Sequence, residues 1–420
     1  MKSIALLAGA ALVAGLIAPA PVRAAAKPVC GMNNGKPATG APIPLGAVVG
    51  KTGPADFSSP ALAAAAFFKC VNANGGINGR PIAYQVEDDG WKPEQAAQVA
   101  AKLVKDDKVF AMVGSSSFVD CSVNEPLYES AKVLVVAGVG VPRDCFHARN
   151  ISPTNEGPRL SNLGGVMYLV KTFGIKNMVC ISPNIPGVGN FSCDGMVAWG
   201  KAKGLVVHTI LIDPATLDAT SVILQAASYK PGLIEISLPR EGALPLFAAA
   251  EQQDLGSKIH FGSPTSLYNE NVPKALGPYW NNRAYVQLEL EPLDKPSPDN
   301  QNWHAVMDTY GNPSDQRDTF SQAGYLAARV VTQVLLKMNP ATINRDTLGA
   351  AIKAVKNFRS DMMCGAYYFG PGAEHNSNHA GSVAVVNNGG FQTKASCLQI
   401  EDPDLANIRK MEAELHLAGS

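Results

Sequence analysis

PIAYQVEDDGWKPEQAAQVAAKLVKDDKVFAMVGSSS, residues 81–117, decides the fold. Its first eight residues alternate with period two, the pattern of a strand. Residues 92–107 place Ala96, Val99, Ala100 and Leu103 on one face of a helix. VFAMVG, 109–114, is apolar throughout and stops at a glycine, as a buried strand does. A strand, a covering helix and a second buried strand make a parallel βαβ unit.

The same pattern extends in both directions. PLGAVVG (44–50) reads as a strand and SPALAAAAFFKCVNANGG (59–76) as a helix. That helix has Ser and Pro at its start and two glycines at its end. A helix over 119–131 leads to the strand VLVVAG (133–138). Strands are expected again at 177–182, 205–211, 232–238, 258–262 and 283–290, with helices between them and a break near Pro245. Long helices follow around 300–310 and 318–338. CGAYYFG, GSVAVVN and GFQTKASCLQI then read as strands, the last two joined by an NNGG hairpin turn. So many units exceed one comfortable sheet, and the fold class expected is α/β with two doubly wound lobes.

Residues 1–26 have a charged start, an apolar stretch and the small-residue site Ala24-Ala25-Ala26, the pattern of a cleaved signal peptide. The apolar stretch is shorter than the ~20 residues a membrane span needs. Thirty-five acidic and thirty-five basic residues balance without long blocks, so no nucleic-acid or anionic-lipid partner is expected. Eight cysteines in an exported chain read as disulfides, and no Cys-x-x-Cys with ligand spacing argues for zinc.

The serines at 115–117 sit where a parallel strand ends and a helix begins. Hydroxyls and the free N–H groups of a helix N-terminus make a place for a carboxylate. The same serines also serve as an N-cap and linker. VVAGVGVP (135–142) ends the next strand in small residues, and Gly138, Val139 and Gly140 leave backbone accessible to a ligand. Two adjacent strand ends of this kind point to one site. Glu374, His375 and His379 lie among Gly, Asn and Ser, which predicts a solvated loop rather than a metal site. The acids of EDDGW read as turn and cap residues. No nucleotide fingerprint and no Gly-x-Ser-x-Gly elbow is present. No cofactor and no catalysis are expected.

The succession PLGAVVGKTGPADF, GGINGRPIAYQVEDDGWKPEQAAQVAAKLV and VLVVAGVGVP resembles the type I periplasmic solute-binding proteins of ABC importers, the leucine/isoleucine/valine-binding family. The resemblance runs from about 42 to 400. It implies two α/β lobes joined by three crossing segments: lobe 1 from 42–152 plus 283–358, lobe 2 from 153–282 plus 359–400, and a C-terminal tail over 401–420. It implies a ligand in the cleft, with Ser115, Ser116 and Ser117 as the carboxylate loop and Gly138, Val139 and Gly140 as the second contact loop. Phe57 would wall the cleft. Pro186 falls where the family often carries an aromatic, and Glu241 where it carries an acid for an amino group.

The function implied is capture of a small organic solute, an amino acid or another carboxylate, and its delivery to a membrane permease from the periplasm by a monomer. A sensor of the same fold and, more distantly, a secreted hydrolase are the alternatives. Four disulfides are expected. Cys121–Cys145 follow successive strands of one lobe, and Cys364–Cys397 lie on C-terminal strands set side by side.

Overall fold

The structure is a computed structural model and describes residues 27–417. The signal peptide expected over 1–26 lies outside the described residues. The first run of the chain lays down β1 (Ile43–Val49), α1 (Ser59–Ala73), β2 (Ile82–Asp88), α2 (Pro93–Ala101), β3 (Ala111–Val113) and β4 (Ser116–Ser117). It continues through α3 (Asp120–Ser130), β5 (Leu134–Ala137), β6 (Val139–Gly140) and β7 (Ile151–Pro153). All seven strands are parallel, in the main order β2-β1-β3-β5-β7, with β4 and β6 extending the ladder beyond Val49. The helix expected over 92–107 is regular only to Ala101. Beyond it the coil widens, and the Asp107 amide reaches back five residues to the Lys102 carbonyl.

A second winding follows: α4 (Pro158–Phe173), β8 (Asn177–Pro183), α5 (Gly189–Ala202), β9 (Val206–Ile212), α6 (Ala219–Ser228) and β10 (Leu233–Ile236). Next come α7 (Arg240–Gln252), β11 (His260–Ser263), α8 (Val272–Leu276) and β12 (Ala284–Leu288). The helix expected to break at Pro245 runs through it, because the missing N–H affects a single turn. The parallel order β9-β8-β10-β11-β12 repeats the winding of the first lobe. Both sheets are buried on two faces, which explains the unbroken Val, Ile and Leu runs in the sequence.

The chain then returns to the first lobe. α9 (Pro298–Tyr310), α10 (Thr319–Lys337) and α11 (Arg345–Lys353) pack there, α10 lying along α1 and against β3 and β5. β13 (Ala380–Asn387) and β14 (Gly390–Gln399) go back to the second sheet, antiparallel to β12 and to each other. α12 (Leu405–Glu414) closes the chain.

Two boundaries differ from the sequence reading. The strand at 284–288, placed by sequence in lobe 1, pairs with β11 and β13 and so belongs to the second sheet. Of the C-terminal tail expected over 401–420, the described residues to 417 pack on the body of the protein. Arg159 donates to Asp402 at 2.9 Å, and the buried Glu412 accepts from Tyr368 at 2.8 Å.

Three segments join the lobes: between β7 and α4, between β12 and α9, and between α11 and β13. Asn378 on the third ties all three, its amide donating to the carbonyls of Thr154 (3.3 Å) and Glu289 (3.0 Å). CGAYYFG belongs to this third segment and forms one isolated bridge, Phe358 to Tyr367, rather than a strand.

Four disulfides form: Cys30–Cys70, Cys121–Cys145, Cys180–Cys193 and Cys364–Cys397. Both pairs expected by number are present. Cys364, however, lies on the third crossing segment and only Cys397 on a strand. Among the described residues no helix is long and apolar enough to cross a membrane.

Candidate functional site

The carboxyl ends of both sheets face each other across a cavity, as expected where ligands bind to doubly wound sheets. From the first lobe come Phe57 after β1, Phe118 after β4, Val139 to Val141, and Phe320 in the first turn of α10. From the second come Pro183, Val188 and Ser192 around the start of α5, Ser237 to Pro239 after β10, and Pro264 to Ser266 after β11. Asn155, Pro158 and Glu289, on or beside the crossing segments, form the floor.

The first lobe's wall is an aromatic cluster. Phe57 meets Phe118 at 4.9 Å and Phe320 at 5.1 Å between ring centroids. Trp91 stacks on Phe118 at 3.9 Å, and its indole N–H lies 3.2 Å from the Ala55 carbonyl. The stack fixes the orientation of a ring that a lone loop phenylalanine would not hold. Trp91 therefore backs the cleft.

The serines are placed differently from the sequence reading. All three are buried, but none lines the cavity. The Ser115 hydroxyl accepts from the Val48 amide at 3.3 Å, and Ser116 donates to the Phe57 carbonyl. Ser117 accepts from the amides of Val119 (3.0 Å) and Asp120 (2.9 Å) and donates to the Asp89 carboxylate. Ser117 thus caps the start of α3 from two residues ahead of the N-cap position Val119, whose own side chain makes no capping bond. The acids of EDDGW are turn and cap groups as well. Asp88 accepts from the Lys51 amide at 2.9 Å, and Asp89 from the Trp91 amide at 2.8 Å.

Of the second contact loop, Val139 and Gly140 line the cavity and Gly138 does not. Gly138 is needed where helices cross: a Cβ there would lie 2.7 Å from Pro60 and 3.2 Å from Gly324. The Gly140 backbone is already paired, its N–H to Asn155 Oδ1 at 2.8 Å and its carbonyl to Asn155 Nδ2 at 3.3 Å.

Pro186 and Glu241 also lie off the cavity, although their loops reach it. Glu241 is in the exposed first turn of α7 and pairs with Arg240 at 2.6 Å. The loop carrying Pro186 meets the other lobe instead, its Gly187 carbonyl accepting from the Arg143 amide at 2.8 Å. On another rim Asn269 bridges to Asp318 at the start of α10. The two lobes are in contact around the cavity.

Glu289 has no signal in the sequence, being one acid in an apolar strand end. It is buried, and desolvation pushes its carboxyl up to about 8 against hydrogen bonds from Asn155, the Glu156 amide and Ser161. Glu156 beside it is also buried, and desolvation and the Glu289 charge hold its carboxyl well above the usual range. Gln287 reaches one Glu156 oxygen at 3.3 Å, and the other has no partner.

His375 and His379 do not lie in a solvated loop. Both are buried, with His375 Nε2 2.7 Å from the Ile151 carbonyl and His379 Nε2 3.0 Å from Glu412. Glu291, Cys364 and Cys397 come together at ligand-like spacing, but the two sulfurs are bonded to each other and supply no thiolate.

A profile of the periplasmic binding protein family matches residues 42–391. Among solved structures, a fatty acid ABC transporter substrate-binding protein from Thermomonospora curvata aligns with TM-score 0.74 and 21% identity, over 87% of this chain and 95% of that one. An ABC transporter solute-binding protein from R. palustris in complex with benzoate aligns with TM-score 0.68 and 19% identity, over 86% and 99%. At these identities the likeness is one of fold. An amino acid binding protein from Pseudomonas aeruginosa is 41% identical over 69 residues, which span 16% of this chain and 18% of that protein.

Proposed function

The chain belongs to the periplasmic binding protein family, and from that premise we propose that it is the solute-binding component of an ABC importer, taking a small carboxylate with an apolar body. The observation that carries this is the cleft wall of Phe57, Phe118 and Phe320 facing Leu238, Pro239 and Pro264. Such a lining buries an aromatic ring or an alkyl chain at about 25 cal/mol per Å² of apolar surface. Structural relatives named for fatty acid and benzoate support the same class. An amino acid finds no acid at Glu241 to receive its amino group, since that side chain lies outside the cleft.

Ligand touching both lobes stabilises the closed arrangement over the open one, and the closed form docks on a membrane permease. Export to the periplasm is directed by residues 1–26. The experiment is a thermal-shift screen of benzoate, 4-hydroxybenzoate, hexanoate, leucine and phenylalanine. A ligand at about 100 times its Kd adds about 2.7 kcal/mol of stability. Stabilisation by the amino acids alone would overturn the carboxylate reading, and no stabilisation by any of the five would remove its support.

A further inference from the structure

The cleft of a carboxylate binder would be expected to hold a cation. None of its lining residues is Lys, Arg or His. Its ionisable group is an acid, Glu289. The Glu289 backbone is pinned on both sides, its amide facing the Thr265 hydroxyl at 3.5 Å and its carbonyl accepting from Asn378 at 3.0 Å. The carboxyl therefore starts from a fixed point on the floor, opposite the aromatic wall.

Resting on the carboxylate reading above, we propose that Glu289 is the polar anchor of this cleft and holds the ligand carboxylate as a protonated acid, so that ligand and one proton bind together. An ionised Glu289 would repel a carboxylate in a site with no base to offset either charge. A protonated one offers an O–H donor, and an O–H to a carboxylate oxygen is among the stronger hydrogen bonds.

Burial keeps that proton in place, against three donors that favour the ionised form. From the first crossing segment Asn155 and the Glu156 amide face the carboxyl, and from α4 the Ser161 hydroxyl does. Thr265 faces its backbone from the loop after β11 and Asn378 from the third crossing segment. The titratable neighbour is Glu156, a second buried acid with one oxygen unpartnered. Two carboxyls buried together without a base do not both ionise near neutral pH. Desolvation sets Glu289 at about 8, and an approaching ligand anion raises it further.

The sign follows from linkage. Benzoate is ionised throughout the range above pH 6, so the titrating group is Glu289. Below about pH 7 it already carries its proton and affinity is level. From pH 7 to pH 9 the protonated fraction of a group titrating at about 8 falls about tenfold, and affinity falls with it.

The test is calorimetric titration of the full mature protein with benzoate and with hexanoate at pH 6, 7, 8 and 9. At pH 9, buffers of differing ionisation enthalpy give the proton count. Kd should rise about tenfold from pH 7 to pH 9, with close to one proton taken up per ligand at pH 9. Glu289→Gln keeps an N–H donor but cannot titrate. It should lose this pH dependence and bind more tightly than Glu289→Ala.

A level Kd in the wild type, or proton release on binding, would overturn the proposal while leaving the carboxylate reading intact. Affinity that improves with pH would do the same, because these anions would then prefer the protein with Glu289 deprotonated. Failure of both acids to bind at every pH would overturn the carboxylate reading and this proposal with it. The wild-type titration decides even if the variants fail to fold.

Discussion

Ser117→Ala separates a cap from a ligand contact. The hydroxyl accepts two amides at the start of α3, and losing an N-cap costs about 1 kcal/mol. It also donates to Asp89, whose carboxylate is buried with the Trp91 amide as its other donor. Removing a hydrogen bond to such a carboxylate costs about 1.5–3 kcal/mol. The expected loss of stability is therefore about 2.5–4 kcal/mol.

The loss should depend on pH. Desolvation raises Asp89 to about 6, so the native state holds its proton where the unfolded chain has released it, and ionisation costs native stability as pH rises from about 4 to 6. Without the Ser117 donor that carboxyl is pushed higher still, and the penalty extends to higher pH. The variant's deficit should be smaller at pH 5 than at pH 7.5. Urea unfolding at both pH values reads the stability, and calorimetry at pH 7 reads the affinity for benzoate. Affinity should change by less than about threefold, since the hydroxyl does not line the cavity. A hydroxyl bonded to the ligand carboxylate would instead account for about 10- to 150-fold. That result, with unchanged unfolding, would refute the placement of Ser117 as a cap.

Two further outcomes are expected. Replacing Cys121 and Cys145 together by Ser opens a loop of sequence separation 24 and should lower stability by roughly 3–4 kcal/mol in urea unfolding under oxidising conditions; a loss below about 1 kcal/mol would mean that this crosslink constrains the unfolded chain little. His375 is pushed down to about 4 by burial, so the unfolded chain takes up a proton below about pH 6.5 that the native state refuses. Stability should fall as pH drops from 6.5 towards 4 with a slope of up to about 1.4 kcal/mol per unit from this group, and His375→Gln should flatten the curve in that window.

The alternation of buried strands and Ala-rich helices was legible because each unit is local, and local period alone marks a strand or a helix. Cys121–Cys145 was legible because both residues follow neighbouring strands of one sheet. The loops of the cleft were also found, but not always the residue within the loop. In SLPREGA the chain turns into α7 at Arg240, so Ser237, Leu238 and Pro239 reach the cavity and Glu241 goes to solvent. In the serine loop three hydroxyls face protein donors and acceptors, and Phe118 takes the lining position. The side-chain direction at such a turn depends on where the helix begins, and that boundary is the least certain quantity in a sequence. Glu289 and Asn155 were not legible at all. They matter because two crossing segments, 134 residues apart by number, meet at one floor, and no local pattern records that meeting.

Neither lobe is a continuous stretch of chain, and this sets an order on its making. The first sheet is complete by Pro153, yet α10, which covers β3 and β5, ends only at Lys337. The second sheet has its parallel strands by Leu288 but waits for β13 and β14, and for Asp402 and Glu412 to reach Arg159 and Tyr368. A chain emerging N-terminus first therefore carries an uncovered face of the first sheet until α10 appears, and an unpaired edge of the second until β13 does. Such a chain stays loose for most of its synthesis. That is the state in which it can be held by a chaperone and threaded through a narrow pore before its lobes close.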